Sequence, residues 1–596
     1  MTSQGRTMAD WRRRTVSNGS IDLAVFELGD ESNPTVVLVH GWPDTHHLWT
    51  HVAPAIAAAG YHVAAYDTRG YGETSAPDGD APYRLADVAT DLFAVADAVS
   101  PDAPVHVVAH DWGSVQTWEA VTTPGAEKRI KSFVSVSGPN LDYLSEWARK
   151  NLARPTPANL AKAFSQLGSS AYTGFFQAPV LPNLFWRAAG RPGLWREFLH
   201  RIEGTPKDNV VLGDTFTADT ISGLRYYRAN IRQKLADPEP RPTKVPVLEI
   251  VNERDVALRP TIYDYTHTHA ENLWRRNSST GHWLPYTNPD YLVATALDFI
   301  DSLEGRSGNR PATLDRARVL STPGKLTGKL AVITGAGSGI GRETAYALAE
   351  RGCEIVIADL DFDSAEATAI NCKALGAQAH SYDLDVSDVA AFNAFAATVA
   401  AKHGVADIVV NNAGVGLGGS ALAATDEQLD RVLAINLRGV MTGCRAFGRQ
   451  MVERGIGGNI INIASAAAFT PQKGLGIYAA SKAGVLLFSE SLRAELAEHR
   501  IGVTAICPGI VNTNIVSNTP LAGFDDDAVE QEHRDRLDSF YQRRNFGPEK
   551  VARDIVAALE ANKAVAPVTP EAKLGYRVYR FTPWLARLMA RGDILR

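Results

Sequence analysis

Cysteine is scarce in this chain. Its 596 residues hold four, Cys353, Cys372, Cys444 and Cys507, all in the second half and none in a C-x-x-C pair. That argues against a disulfide framework or a zinc ribbon and fits a reducing compartment. No apolar run reaches the ~18 residues that a membrane-spanning helix needs. Nor does an apolar stretch follow Arg12, Arg13 and Arg14, so no secretory leader is expected and the expected location is cytoplasmic. Excess positive charge is also missing. Lys plus Arg number 60 against 66 Asp plus Glu, a formal net charge of −6, which removes the chain-wide basic footprint of a nucleic-acid binder. What is present is an ordinary globular balance, 45% hydrophobic and 21% charged, in a chain several times the ~150 residues of one domain. At least two packed domains are expected.

Short β-branched runs recur along the first part, at Thr35 to His40, His62 to Asp67, Val105 to His110, Lys131 to Ser137 and Val245 to Val251. Helical patterns separate them, so the fold class reads as α/β with a mostly parallel sheet. The alternation breaks between about Pro139 and Thr243, where Trp, Phe, Arg and Pro accumulate without buried-strand runs, the pattern of an inserted helical cap. Residues 304–324 are polar and rich in Gly, Pro and Arg and read as a linker between domains 1–303 and 325–596. The strand rhythm restarts at Lys329 to Thr334 and continues at Glu354 to Asp359, Asp407 to Val410, Gly458 to Ala464 and Gly502 to Cys507. The two halves carry different motifs and are not repeats.

In the first half, His110-Asp111-Trp112-Gly113-Ser114 places an acid in a strand-to-helix turn between small residues, the setting of a nucleophile elbow. A carboxylate there attacks an sp³ carbon to give an ester and is poorly suited to peptide or ester cleavage. Upstream, His40-Gly41-Trp42-Pro43 follows a buried strand, where the backbone N–H groups of Trp42 and Trp112 can face a developing oxyanion. Downstream come Asp255 and then His282, in Gly281-His282-Trp283-Leu284-Pro285. Taken singly, Asp111 reads as a helix cap and His282 as a structural histidine; four motifs in catalytic order favour chemistry. Over roughly residues 15–303 this resembles the epoxide hydrolases of the α/β-hydrolase superfamily. The resemblance implies Asp111 as nucleophile, His282 as base and Asp255 as its orienting acid. It also implies two cap tyrosines that hold the epoxide oxygen, and Ala171-Tyr172-Thr173-Gly174 and Leu224-Arg225-Tyr226-Tyr227 place Tyr172 and Tyr227 there. Haloalkane dehalogenases share the elbow, but many hold halide with an Asn where this chain has Trp42. His46, His47, His267 and His269 lack a carboxylate cluster and read as surface or cap residues, with no metal expected.

In the second half, Thr334-Gly335-Ala336-Gly337-Ser338-Gly339-Ile340-Gly341 follows a strand and opens a helix, so its backbone can approach a pyrophosphate at the positive helix end. Asp359 ends the next strand, near the expected spacing for an acid on the ribose. Tyr478 and Lys482 lie one helical turn apart, and an ammonium beside a phenol favours phenolate. With Ser465, Asn436, Asn411-Asn412-Ala413-Gly414 and Pro508-Gly509, these motifs resemble the short-chain dehydrogenase/reductase superfamily over roughly residues 325–570. The resemblance implies Tyr478 as general acid/base, Ser465 on the reacting oxygen, Lys482 also on the nicotinamide ribose and Asn436 on a proton-relay water. It places the cofactor against Gly335, Ser338, Gly339, Ile340, Gly341, Asp359, Asp385, Val386, Asn412, Pro508, Gly509 and Thr513. Asp359 and Asp361 point to NAD in preference to NADP.

The whole chain resembles the actinobacterial epoxide hydrolase D-like fusions of these two folds. That implies a bifunctional enzyme acting on a small-molecule or lipid epoxide and alcohol, in a homo-oligomer. A dehydrogenase with a catalytically silent lipid-binding module, or a dehalogenase in the first half, are the competing expectations. The tail Lys573 to Arg596 mixes basic and aromatic residues. It is expected to dock on its own domain or a neighbouring subunit, with peripheral contact to the inner membrane face as the alternative.

Overall fold

The structure is a computed structural model describing residues 11–306, 313–512, 519–523, 531 and 546–590. It divides into two compact units, Met1–Gly308 with Ala317–Pro323 and Asn309–Arg316 with Gly324–Arg596. Residues 304–324, expected as a linker, are divided between the two units. The guanidinium of Arg318 lies 4.2 Å over the Trp274 ring in the first. That of Arg316 reaches the buried Glu354 in the second. Among the described residues no helix is long and apolar enough to cross a membrane, and all four cysteines are buried and unpaired.

The first unit holds an eight-stranded sheet: β1 (Arg12–Asn18), β2 (Ile21–Leu28), β3 (Thr35–Val39), β4 (His62–Tyr66), β5 (Val105–His110), β6 (Ile130–Val136), β7 (Val247–Asn252) and β8 (Leu273–Ser278), in the order β1-β2-β4-β3-β5-β6-β7-β8. The strands read from sequence are β3 to β7, and β3, β4, β5 and β7 are buried along their whole length, as parallel strands covered on both faces must be. β1 and β2 are antiparallel additions at one edge. Between β6 and β7 the chain is helical from Leu141–Ala153 to Leu224–Ala236. β3 lies between β4 and β5, so connections leave it in opposite directions, and the carboxyl ends of β3 and β5 frame a crevice at this switch point. Their ends are in register, Val39 beside Ala109.

The second unit repeats the principle with β9 (Leu330–Thr334), β10 (Glu354–Asp359), β11 (Ala379–Asp383), β12 (Ile408–Asn411), β13 (Gly458–Ile463), β14 (Ile501–Cys507) and β15 (Val565–Pro567). All pair in parallel, in the order β11-β10-β9-β12-β13-β14-β15. Here β9 is the strand at which the winding reverses, and the glycine turn leaves its carboxyl end. Both units are therefore doubly wound α/β folds, an α/β-hydrolase fold followed by a Rossmann-type dehydrogenase fold.

Candidate active sites

The first site is built on backbone geometry that only certain residues allow. Asp111 sits at φ 50°, a left-handed conformation that costs energy for a side-chain-bearing residue, between β5 and the helix Trp112–Val121. Its neighbours must be small. A Cβ on Gly113 would lie 2.3 Å from the Val39 carbonyl oxygen, and one on Gly138 would lie 2.3 Å from that of Asp111. A Cβ on Gly41 would come within 2.5 Å of both Asp111 Oδ2 and the Trp112 nitrogen, so glycine there lets the β3 loop close on the carboxylate.

The backbone N–H of Trp42 donates to Asp111 Oδ2 at 2.8 Å. The other oxygen, Oδ1, is 3.4 Å from His282 Nε2. On the far side of the ring, His282 Nδ1 is 2.8 Å from Asp255 Oδ2. Asp255 Oδ1 accepts the N–H groups of Ala257 and Leu258 at 2.8 and 2.9 Å, which fixes that carboxylate. Burial alone would depress the His282 pKa, but Asp255 and then Asp111 overcome it and hold it well above the usual value. Asp255 is likewise buried, yet the imidazole and the two N–H donors keep its carboxyl below the ordinary range.

Tyr172, half-buried on the helix Ala171–Phe176, and Tyr227, buried on Leu224–Ala236, lie with ring centroids 6.1 Å apart. The Tyr227 ring is 4.8 Å from that of Trp112. Burial, reinforced by the Asp111 charge, raises both phenol pKa values, so each hydroxyl stays protonated and able to donate. The structure brings Trp42, Asp111, Trp112, Tyr172, Tyr227, Asp255 and His282 into one cluster.

Sequence reasoning missed the supports. Glu203, at the end of the cap helix Pro192–Glu203, accepts the backbone N–H groups of His282 at 2.6 Å and Trp283 at 3.0 Å. Nothing in the helical pattern distinguishes it from Glu197; only the long-range contact does. Asp44 accepts from the Trp283 indole at 3.1 Å and the Tyr286 hydroxyl at 2.7 Å, and burial pushes its pKa up to about 7. His40 accepts from the Thr68 N–H through Nε2 at 2.9 Å, which leaves the proton on Nδ1 to donate to the Gly41 carbonyl at 3.0 Å. Burial holds that ring neutral, with its pKa down at about 4. One expectation needs correcting: His46 is no surface residue. It is buried, stacked on Phe26 with centroids 3.5 Å apart, and bonded through its ring to Asp67 at 2.8 Å, a buried carboxylate that also accepts the backbone N–H groups of His46 and Glu73.

In the second unit the glycine turn is tight for a physical reason. A Cβ on Gly341 would lie 2.3 Å from the Gly335 carbonyl, one on Gly335 2.6 Å from Ala413, and one on Gly337 2.9 Å from Asp359 Oδ2. Gly335 and Gly339 also take positive φ. Asp359 Oδ2 accepts the Gly337 N–H at 2.7 Å, and the Arg342 guanidinium donates to the Gly337 carbonyl. Asn412 Nδ2 donates to the carbonyls of Thr334 at 3.0 Å and Gly335 at 2.7 Å, tying β12 to the turn. These bare backbone walls fit a dinucleotide.

Tyr478 and Lys482 lie on the helix Gly476–Glu495. Lys482 is buried and its Nζ donates to the Ile463 carbonyl at 2.9 Å. Burial lowers its pKa to about 8. Asn436, on a π-helical turn over Ala434–Gly439, accepts the Val415 N–H at 2.8 Å and donates to the Val415 carbonyl at 2.8 Å. A Cβ on Gly414 would stand 3.2 Å from Asn436 Oδ1 and 3.3 Å from Lys482 Nζ, so these two groups share one lining. Ser465, just beyond β13, accepts the Ala467 N–H at 3.2 Å. Pro508 follows β14, where its carbonyl accepts the Ala466 N–H at 2.7 Å, and a Cβ on the adjoining Gly509 would meet Thr569 Oγ1 at 2.3 Å. Asp385 caps its own turn, accepting from the N–H and hydroxyl of Ser387, with Val386 buried beside it. Thr513 lies outside the described residues. The described tail forms helices Pro570–Phe581 and Pro583–Met589; Tyr576 packs edge-on against Phe469 at 5.1 Å, while Phe581 and Trp584 are exposed.

A family model of the α/β hydrolase fold matches residues 34–166, and one of short chain dehydrogenases matches residues 329–522. Over 583 residues, 96% of this chain and 97% of the relative, the chain is 42% identical to proteins named probable oxidoreductase EphD from Mycobacterium tuberculosis and Mycobacterium bovis. The chain belongs to the EphD family. It is a two-domain protein in which a hydrolase fold precedes a short-chain dehydrogenase domain with oxidoreductase character. A putative oxidoreductase, SadH, of M. tuberculosis is 35% identical over 248 residues, 41% of this chain and 88% of its own length. Among solved structures, a short chain dehydrogenase/reductase from Burkholderia phymatum in complex with NAD overlaps 44% of this chain and 95% of its own, at 28% identity and a TM-score of 0.41.

Proposed function

We propose that the first site opens epoxides through an ester on Asp111 and that the second oxidises an alcohol, or reduces a carbonyl, with NAD. The observation that carries the first reading is the division of labour at one carboxylate: Oδ2 bound by the Trp42 N–H and Oδ1 facing a histidine braced by Asp255. Asp111 Oδ1 attacks an epoxide carbon, the C–O bond breaks, and Tyr172 or Tyr227 gives its proton to the departing oxygen. Alkylation cancels the Asp111 charge, one of the two that raise the His282 pKa, so that pKa falls as the ester forms and the ring is more readily neutral and free to accept a proton. His282 Nε2 then takes a proton from water, the hydroxide adds to the ester carbonyl carbon, and the Trp42 N–H stabilises the oxyanion on Oδ2. Collapse breaks the carbonyl carbon–Oδ1 bond, the departing oxygen takes the proton held by His282 and leaves as the vicinal diol, and Asp111, which keeps the water oxygen, returns its carboxyl proton to the tyrosinate. Single turnover in ¹⁸O-water should therefore label Asp111, and an unlabelled carboxylate after diol formation overturns the reading.

In the second unit a bound NAD would accept or return hydride. Tyr478 would exchange the alcohol proton, Lys482 would favour its phenolate, Ser465 would hold the reacting oxygen and Asn436 would position a water. Asp359, fixed at the glycine turn, and Asp361 set negative charge where a 2′-phosphate would lie, which supports NAD over NADP. Tighter binding of NADPH than NADH in a direct titration would reverse that preference. The two readings join chemically, since a diol is a secondary alcohol that a dehydrogenase can carry to a hydroxy-ketone, and fusion raises its effective concentration. Asp111→Ala should abolish NADH formation from an epoxide while sparing that from the matching diol. Failure of purified diol to yield NADH, where an unrelated alcohol succeeds, separates the two activities.

A further inference from the structure

The outer face of the cap combines two properties that a free protein surface rarely shows together. Between Leu152 and Ile202 lie eleven of the twenty-six large hydrophobic side chains that are exposed among the described residues, each 41 to 67% accessible. Scattered exposed apolar residues need no explanation, but such a concentration does. The helix Leu181–Ala189 turns Leu181, Leu184 and Phe185 outward, so an i, i+3, i+4 stripe that would face a core faces solvent. On Pro192–Glu203, Leu194, Phe198 and Ile202 repeat every four residues in the same exposed state. The patches are joined: Phe175, on Ala171–Phe176, lies 5.9 Å from Phe185. The same stretch is strongly basic in an acidic protein. From Arg149 to Arg201 there are eight Lys or Arg and one acid, Glu197. Arg187 and Arg191 are exposed and carry no ion pair among the described residues.

We propose that this cap face docks the first unit on an anionic lipid bilayer. A second copy of the chain fits less well, because a symmetric contact sets like patches face to face and would oppose cations such as Arg187 and Arg191 to their own copies. A bilayer of acidic lipids answers both properties at once, taking the rings and leucines at the acyl boundary and the guanidiniums among its phosphates. Docking also has a consequence for the site. Phe175 shares a helix with Tyr172 and lies 6.0 Å from Phe176, whose ring is 5.3 Å from that of Tyr172, so a contiguous aromatic path runs from the docking face to a site tyrosine. An apolar substrate dissolved in the bilayer would meet the cap directly. That consequence rests on the epoxide reading; the docking does not.

The test is co-sedimentation of the full-length protein with vesicles of equal parts phosphatidylglycerol and phosphatidylcholine, against vesicles of phosphatidylcholine alone. The protein should pellet with the anionic vesicles only. Leu181→Ser with Leu184→Ser, and separately Arg187→Glu with Arg191→Glu, should each weaken binding by at least ~10-fold while leaving thermal unfolding unchanged. Three results overturn the proposal: no preference for the anionic vesicles, loss of binding in Phe581→Ser with Trp584→Ser but not in the cap variants, or a lipid-free dimer that the cap variants dissociate. Labelling of Asp111 with a water-soluble epoxide is independent of all three, so failure of docking and failure of the hydrolase reading are told apart.

Discussion

Asp255→Asn is the perturbation whose outcome follows most directly from the geometry. Asp255 Oδ1 accepts two backbone N–H groups, from Ala257 and Leu258, and Oδ2 accepts one ring N–H, from His282. An asparagine has a single carbonyl oxygen. Turned towards the two backbone donors it keeps two bonds and loses one; turned the other way it leaves two buried N–H groups facing an NH₂, at about 1–3 kcal/mol each. The first orientation wins, and the NH₂ then donates to His282 Nδ1. Nδ1 must give up its proton, the proton moves to Nε2, and the nitrogen that faces Asp111 can no longer accept one from water. Ester hydrolysis should slow by about 10³–10⁴, the scale of the same tautomer error in a serine protease triad. Alkylation needs no base and should change by less than ~10-fold. Rapid-quench mass spectrometry of the intact protein with an epoxide should show an adduct of enzyme plus substrate mass that persists in the variant and decays in the wild type. Unchanged diol release without an accumulating adduct would refute the reasoning.

The remaining expectations concern the second unit. Gly341→Ala places a Cβ 2.3 Å from the Gly335 carbonyl, so dinucleotide affinity by titration calorimetry should fall by at least ~10-fold while hydrolase activity is retained. Unaltered affinity would mean that the turn does not hold the pyrophosphate. Lys482 titrates near 8 because it is buried, so its ammonium is present below that pH and lost above it. Dinucleotide affinity should decline as pH rises through about 8, and Lys482→Met should flatten the profile. Glu354 is buried, and despite that burial His380, His403 and Arg316 hold its pKa far below the ordinary 4.5. Its contribution to stability is therefore present above pH 4.5 and lost as pH falls through the lower folded value. Glu354→Gln should destabilise the second unit by about 3 kcal/mol at neutral pH in denaturant unfolding, with the gap to wild type closing in acid; a gap that widens in acid would contradict the sign.

What was legible in the sequence follows from range. β3 to β7 announce themselves because strands covered on both faces must be apolar throughout, and Asp111, His282, the glycine turn, Tyr478 and Lys482 are marked by local motifs whose spacing is itself the chemistry. β1 and β8 were not seen because edge strands have one open side: Arg12, Arg13 and Arg14 pair across to β2, and Arg275 in β8 reaches the buried Glu249 at 2.7 Å, so neither run looks apolar. Glu203, Asp44 and His46 were missed for another reason. Each matters through a partner far along the chain, Glu203 through His282 and Asp44 through Tyr286, and no local pattern encodes such a pairing. The cluster of Glu354, His380 and His403, whose ligand-type atoms all lie within 4.8 Å of one another, was hidden in the same way. Its carboxylate also carries Arg316 at 2.9 Å, which supplies a positive charge there already.

The buried acids around the first site explain how it concentrates charge where the reaction needs it. Asp44 and Asp219 are both pushed up to about 7 by burial, and Glu203 is raised by the same cause, whereas Asp255 is lowered although it too is buried. The difference lies in the donors. Asp44 accepts from an indole and a phenol, Asp219 from a hydroxyl and a backbone N–H, and Glu203 from the backbone N–H groups of His282 and Trp283. Asp255 accepts directly from the His282 ring, an imidazole that can carry a full charge, at 2.8 Å. Hydrogen bonds from neutral donors orient a carboxyl without fully repaying its desolvation, so burial wins at these three acids, whereas the direct bond to His282 outweighs it at Asp255. That matters when alkylation of Asp111 removes one negative charge from the surroundings of His282: further full charges on Asp44 and Glu203 would hold a proton on the ring even after the ester had formed.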